Sequence, residues 1–312
     1  MMSDVKTADY IWMDGEIIPW RQAMVHVSSL GHATVSSVYE GIKAYWNADR
    51  QQLFVFRLDK HLRRFMESVK MVRLNCRYSQ EDLREAILSL IQANGAQEDY
   101  YVSPLIYESG IIRSYAHPGL TRPTEIVIDS WPFASQMTSD KTIDCCVSSW
   151  IRLSDNSSPN RIKCVSNYHN GRLASIEALV NGYDLPIILN DRGKVSEGPG
   201  ACIFLVRGGK VITPSISSDI LESITRDSVI QICSDVLHIP TEERDVDRTE
   251  LYIAEEIFFC GTWWEVTPVA SVDRLPVGNG EIGPVSKAIA RAYHDIVRGI
   301  DTRYEDWRTP VW

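Results

Sequence analysis

Three short apolar runs, over residues 185–189, 201–206 and 210–213, follow one another with only glycine-bearing turns between them. Connections this short cannot carry a chain across the face of a sheet, which takes a dozen residues or more. Neighbouring runs therefore pair as antiparallel hairpins rather than βαβ units. That points to an α+β chain, in which helices and strands are interspersed without a doubly wound repeat.

The first half reads in the same way. Residues 9–27 alternate apolar and polar groups about Asp14-Gly15, a hairpin signature, with residues 24–27 continuing as a strand and a helix to follow. Residues 36–45 begin helical and end strand-like, and residues 52–56 form a short strand. Over residues 58–72, Leu58, Leu62, Phe65, Met66, Val69 and Val72 share one face and predict a helix. Ser79 and Asp82 make a capping box for the next helix, which Gly95 ends. Strands follow at 100–107, 125–130 and 142–150. A boundary near residues 133–141 gives a small α+β domain over 1–135 and a larger one over 140–312. In the larger, a helix near 170–180 ends at Gly182, and helices near 225–237, 249–254 and 285–297 alternate with a strand at 257–260. Residues 301–312 read as a polar tail.

With 312 residues and 44% apolar content the chain exceeds the usual size of a single core, hence two domains. Its net charge of −9, with no basic run longer than Arg63-Arg64, excludes nucleic acid and anionic membrane surfaces as natural partners. No window reaches eighteen apolar residues and no charged stretch precedes an apolar one at the N-terminus. Neither a membrane span nor an export signal is expected, and the chain reads as cytoplasmic. The seven cysteines lack paired C-x-x-C spacing, so no metal site is expected and they read as small buried apolar residues. Cys145 and Cys146 could form a redox pair, but adjacent residues of a strand point to opposite faces.

Two stretches stand out chemically: RIKCVSNY, which sets Lys163 just before a helix, and VSEGPG, which sets Glu197 in a turn between strands. Taken in order, VYEGIKAY, FRLDKHLRRF, KCVSNY, VSEGPGACIF, SITRD, CGTWWEVTPV and GPVSKAI resemble the branched-chain amino acid aminotransferases. The resemblance runs from about residue 8 to residue 300. That family belongs to the fold type IV pyridoxal phosphate enzymes, related to D-amino acid aminotransferase. It implies a two-domain α+β fold with pyridoxal 5'-phosphate at the domain interface. It also implies ping-pong transfer of an amino group from a branched-chain or other hydrophobic or aromatic donor to a 2-oxo acid. A homodimer, or a higher homo-oligomer, is implied as well, since a loop of the neighbouring subunit completes the family's pocket.

By matching position, Lys163 is the Schiff-base lysine and Glu197 the partner of the ring nitrogen, the two side chains such a site cannot lack. Ile224 and Thr225 offer backbone amides at a helix start to the phosphate, joined by Arg64 and Thr262. Tyr168 meets the phenolic oxygen of the cofactor. Tyr39, Tyr101, Trp131 and Trp263 line the substrate pocket, with the Thr262-Trp263 turn facing the α-carboxylate. Taken singly, each has a plainer reading: a surface ion pair for Lys163 or Arg64, a turn carboxylate for Glu197, a helix cap for Thr225, core packing for the aromatics.

The pattern departs from the family in places that bear on substrate. Ala201-Cys202 stands where Glu-Asn is common. The Tyr-Ile-Arg-Pro run of glutamate-using members is here Tyr101-Val102-Ser103-Pro104, and serine cannot replace the charge pair of that arginine. A usual His-Tyr-Gly is Ala33-Thr34-Val35, two small residues have become Trp263 and Trp264, and the loop running from Glu108 to Arg113 differs, with Arg113 an alternative carboxylate contact. D-amino acid or (R)-amine transaminases, aminodeoxychorismate lyases and a non-catalytic cofactor-binding homologue share the same fold and stay open as alternatives.

Overall fold

The computed structural model describes residues 7–30, 34–110, 123–137, 139 and 141–312. Two compact units emerge, one made of residues 1–134, 162–166 and 296–312, the other of 135–161 and 167–295. This differs from two consecutive domains with the lysine in the second. The segment bearing Lys163 joins the first unit because it is held there by an isolated antiparallel bridge between Cys164 and Val38: Tyr39 N donates to Lys163 O at 3.1 Å and Val165 N to Ser37 O at 2.9 Å. No helix among the described residues is long and apolar enough to cross a membrane.

In the first unit, β1 (Tyr10–Met13) and β2 (Glu16–Pro19) pair about the Asp14-Gly15 turn, whose residues sit at φ 54° and 108°. Both values lie in the left-handed region that Gly and Asp tolerate best. Then come β3 (Val38–Tyr39), β4 (Ile42–Asn47), β5 (Gln52–Phe56), α1 (Leu58–Met71), α2 (Gln80–Ala93), β6 (Tyr100–Glu108) and β7 (Thr124–Pro132). Their sheet is antiparallel, ordered β5-β4-β6-β7-β1-β2 with β3 on β6, and the C-terminal strand Arg308–Pro310 adds to the outer edge of β5. Alternate residues of the strands, such as Val102, Ile106, Ile126 and Ile128, are buried against Leu58, Leu62 and Phe65 of α1 and Leu83, Ile87 and Leu90 of α2. Burying each such side chain is worth about 1.5–3 kcal/mol. The capping box of α2 is formed in both directions, and Gly95 follows the helix at φ 60°.

Three local expectations give way here. Residues 24–27 are not a strand; Met24 is exposed, and the turn Val27–Ser29 is a 3-10 helix. Residues 36–39 are not helical, because Val38 and Tyr39 pair with Ile106 and Leu105 and sheet pairing overrides the local pattern. The C-terminal residues are no polar tail: Trp307 and Val311 are buried and flank the added strand.

The second unit contains β8 (Ile143–Ile151), α3 (Tyr168–Val180), β9 (Leu185–Leu189), β10 (Val195–Glu197), β11 (Cys202–Arg207), β12 (Lys210–Thr213), α4 (Ile224–Gln231), β13 (Thr241–Glu243), β14 (Glu256–Gly261), β15 (Glu265–Val272), β16 (Leu275–Pro276) and α5 (Pro284–Val297) up to Asp295. The sheet order is β10-β9-β8-β15-β14-β11-β12-β13, with β16 on β15. Hairpins β9-β10 and β11-β12 are antiparallel, but β8 and β9 run parallel with α3 between them, packed on both. The runs 185–189 and 201–206 do not pair as a hairpin, because β10 forms between them and takes one edge of β9 while parallel β8 takes the other; β11 pairs with β12 and β14, and β15–β8 and β12–β13 are parallel as well. Ile203, Leu205, Ile257, Phe259 and Val269 form part of the core. After Gln231 the chain continues as a π-helical turn, Ile232–Val236, and residues 249–254 hold a 3-10 turn, Arg248–Tyr252, in place of longer α-helices.

Candidate active site

Lys163 lies beside β3 with only 9% of its surface exposed, and its backbone N–H donates to Ser68 Oγ at 3.2 Å. Its Nζ sits 4.4 Å from the ring centroid of Tyr39, a cation–π distance. Ser68 and Arg64 are one turn apart on α1, and so share a face. The Arg64 fork closes on Glu40, Nε donating to Oε1 at 2.7 Å and Nη2 to Oε2 at 2.8 Å, while His61 Nδ1 lies 2.8 Å from Oε2. Glu40 is completely buried. Burial alone would raise its pKa, but the Arg64 charge and His61 outweigh it and hold the carboxyl well below the usual range. Burial pushes His61 down against the pull of Glu40, leaving the ring neutral near pH 7. Glu40 is missed by the sequence reading. The available signal is its place between Tyr39 and Gly41, with two basic residues on one flank of the helix that follows.

Tyr101 stacks on Trp131 with ring centroids 4.9 Å apart and meets Phe133 edge-on at 5.7 Å. Strand register puts Lys43, Tyr101 and Trp131 side by side on one face of the sheet. Lys43 is almost wholly buried, its Nζ 4.6 Å from the Phe133 centroid. Gly41 makes room for Tyr101: a Cβ there would lie 1.8 Å from the tyrosine oxygen. Ser103 Oγ donates to the Glu40 carbonyl at 2.9 Å, so it pins the backbone of the residue that orients Arg64. Of the other departures, Ala33 and residues 111–113 lie outside the described residues.

In the second unit Glu197 is buried at the end of β10. Arg152 Nη2 donates to its Oε1 at 2.6 Å, the Leu221 N–H reaches both oxygens at 3.3 Å, and Cys202 Sγ lies 3.7 Å from Oε2. Burial pushes the Glu197 carboxyl up, while Arg152 and the Leu221 amide draw it back. The Cys202 thiol, pushed up to about 12 by burial and the neighbouring carboxylate, stays protonated and can donate. Arg152 escapes the sequence reading, since nothing local marks it as the partner of a residue 45 positions away.

Two residues beyond Leu221, Ser223 caps α4 by accepting from Arg226 N at 3.2 Å. Arg226 is buried and donates to Pro214 O at 2.8 Å and Glu243 Oε2 at 2.5 Å, which fixes the helix start. Ile224 and Thr225 are buried in the first turn, where amide groups lack helical partners and the dipole is positive. A Cβ on Gly198 would lie 2.7 Å from Phe259, and one on Gly261 2.9 Å from Gly200 O, so the Glu197 turn is pressed onto the strand end that leads to Thr262. Tyr168 is in contact range of Gly200. Tyr168, Glu197, Ile224, Thr225 and Thr262 thus collect at one corner of this unit, as Lys163, Tyr39 and Arg64 collect in the other. Trp263, by contrast, is 50% exposed.

The family described as Amino-transferase class IV matches residues 37–272, which spans both clusters. A branched-chain-amino-acid aminotransferase of Escherichia coli is 36% identical over 94% of each chain. Among solved structures, the branched-chain amino acid aminotransferase of Thermobaculum terrenum in its PLP-form superposes with a TM-score of 0.95 at 43% identity, covering 98% of this chain and 99% of that one. The branched-chain aminotransferase of Thermoproteus uzoniensis with norvaline gives a TM-score of 0.90 at 37% identity, over 98% of this chain and 100% of that one. A carboxylate buried against an arginine, a buried lysine and a capped helix start, each in a matching stretch of sequence, agree with that likeness, and the chain belongs to the class IV aminotransferases, in the branched-chain amino acid aminotransferase family.

Proposed function

We propose that this chain is a pyridoxal 5'-phosphate-dependent aminotransferase that moves the amino group of a branched-chain or similarly apolar amino acid to a 2-oxo acid. The observation that carries the reading is the buried Glu197 carboxylate held by Arg152. The residues fit the cofactor. Arg152 Nε is a buried donor without a hydrogen-bond partner among the described residues, beside the carboxylate. The bare glycines of the 198–200 turn and at 261 leave backbone, not side chains, at the same corner.

Lys163 would hold the cofactor covalently, Glu197 would face its ring nitrogen, and Tyr168 its phenolic oxygen. Arg64, Thr262 and the amides of Ile224 and Thr225 would hold its phosphate. When bound, pyridoxal phosphate supplies an electrophilic carbon and a ring that accepts the electron pair left at the substrate Cα. The protein does the rest. Arg152 opposes the rise that burial imposes on Glu197, and the ionised carboxylate would hold a proton on the nitrogen it faces. Lys163 Nζ takes the Cα proton of the donor. Glu40 aims the Arg64 guanidinium, so no reorganisation is needed when an anion arrives.

Tyr39, Tyr101, Trp131 and Trp263 would border the substrate, and the Tyr101-Trp131 stack favours an apolar side chain. Ser103, spent on the Glu40 carbonyl, offers no cation to a second carboxylate. Exposed Met24, Val27, Leu30 and Val35, near a 220 Å³ pocket floored by Leu105 and Val127, support assembly as a homodimer. The net charge of −9 is in keeping with a cytoplasmic location.

The test is an absorption spectrum of the purified protein and of Lys163→Ala, before and after adding L-leucine, D-alanine or an (R)-amine. A lysine-linked chromophore that L-leucine bleaches in the wild type alone supports the reading. Bleaching only by D-alanine or the amine moves the chain to the D-amino acid or (R)-amine transaminases, and no chromophore at all overturns it.

A further inference from the structure

The turn after Glu197 brings a thiol back onto the carboxylate it has just left. Gly198 N donates to Ala201 O at 2.8 Å and Gly200 takes φ 70°, so the chain reverses at once and enters β11 at Cys202. Cys202 Sγ then lies 3.7 Å from Glu197 Oε2 and 3.7 Å from Leu221 O, in a residue only 2% exposed. A thiol has one proton to give, and an ionised oxygen is a stronger acceptor than a carbonyl.

The two oxygens of Glu197 are held unequally. Oε1 accepts from Arg152 Nη2 at 2.6 Å, while the Leu221 amide is shared between both at 3.3 Å. Among the described residues the side chain that reaches Oε2 is Cys202. One short ion pair leaves a pivot about which a carboxylate still turns; a donor on the opposite oxygen fixes its plane. A group that must meet a partner in one geometry gains from being fixed beforehand.

The same sulfur is within hydrogen-bond reach of the Ser223 side chain. Ser223 Oγ accepts from Arg226 N as the cap of α4, which leaves its own proton to give to the thiol. Across the strands Cys202 is paired with Cys260, two residues ahead of Thr262. The thiol thus stands where the Glu197 turn, the start of α4 and the end of β14 meet. Asparagine, common at this position in the family, also carries a donor, so a donating role survives the change of residue.

We propose, on the cofactor roles given above to Glu197 and α4, that Cys202 is a positioning residue: its thiol donates to Glu197 Oε2 and ties the carboxylate that would face the ring nitrogen to the cap of the helix whose amides would hold the phosphate. A donor to the charged form favours that form, so its loss lets burial push the Glu197 carboxyl further up.

The experiment compares the holoenzyme with Cys202→Ser, which keeps a donor, and Cys202→Ala, which does not. The infrared S–H stretching band of Cys202 is isolated as the difference between wild type and Cys202→Ala, and read again in Glu197→Gln. The result expected is a band lower in frequency than that of a thiol in an apolar solvent, rising when Glu197 loses its charge. In parallel, the acidic limb of the kcat profile moves to higher pH in Cys202→Ala, with kcat on that limb down about tenfold, and is restored in Cys202→Ser. A band at the apolar-solvent position, a band indifferent to Glu197→Gln, or a serine variant no better than alanine overturns the proposal. The band needs no turnover, so a missing lysine-linked chromophore, which sinks the aminotransferase reading, is distinguishable from a missing thiol bond.

Discussion

Arg152 and Glu197 meet at 2.6 Å with both side chains at or below a tenth exposed, so one buried charge is the main counterweight to the desolvation of the other. The pair sits on β10 and the chain just beyond β8, held by backbone rather than by long flexible loops. Arg152 N donates to Leu189 O at 2.8 Å, which fixes the arginine at its root.

Replacing Arg152 by Met tests what that counterweight does. Burial already pushes the Glu197 carboxyl up, and Arg152 opposes it. Without the arginine the carboxyl is pushed up further, because less is left to oppose burial. Protonated glutamate cannot hold a proton on a facing ring nitrogen, so activity is lost as pH falls through the Glu197 pKa. The acidic limb of the kcat profile moves to higher pH in Arg152→Met; a limb that stays in place refutes the role.

Glu40→Gln removes the carboxylate that binds Arg64 and His61. Breaking a buried pair in this way costs about 3–5 kcal/mol. The pKa of Glu40 is depressed in the folded protein, so its contribution is fully present above its ordinary value of 4.5 and is lost as pH falls toward the folded-state value. Denaturant unfolding should give a wild-type to variant gap that is full at pH 7 and narrows below pH 4.5.

Gly41→Ala places a methyl group where the Tyr101 oxygen and ring now lie, at 1.8 and 2.8 Å. Overpacking of this kind costs about 1–3 kcal/mol, and here it must tilt Tyr101 off Trp131. In a Tyr101→Phe background the closest clash is gone, so the two substitutions should couple rather than add. Unfolding midpoints of the single and double variants measure that coupling.

Six of the seven cysteines are buried, and burial raises the pKa of Cys145, Cys146, Cys202, Cys233 and Cys260, to about 11 for Cys146 and about 12 for Cys202 and Cys233. Burial raises the Cys76 pKa too, so access decides: a disulfide reagent at pH 8 should modify about one thiol per native chain first, the half-buried Cys76, and all seven after unfolding.

What could be read in advance follows the range of the interactions involved. The Asp14-Gly15 hairpin, α1 and the capping box of α2 are set by neighbours within a few residues, and they form where the pattern puts them. The order of motifs points to Lys163 and Glu197 through their matching positions, and both are buried in the fold, which supports the roles proposed for them. Arg152 and Glu40 were invisible because their roles depend on partners 45 and 24 residues away. The parallel pairing of β8 with β9 and the strand hidden in the last residues depend on the whole sheet. β15 was missed for a different reason, since Pro268 interrupts its alternation.

The strand Arg308–Pro310 has a consequence for how the protein is made. A chain emerging from the ribosome presents β5 long before the residues that close its outer edge, and Arg57, whose N–H donates to Trp307 O and whose guanidinium lies 4.3 Å from the Trp307 ring, waits for the same late arrival. Until Arg308–Pro310 arrives, the first unit carries an open, apolar edge at β5 able to recruit a strand from another nascent chain. Closure of a sheet begun by residues 10–56 is thus held back until a segment about 250 residues later in the chain has been made.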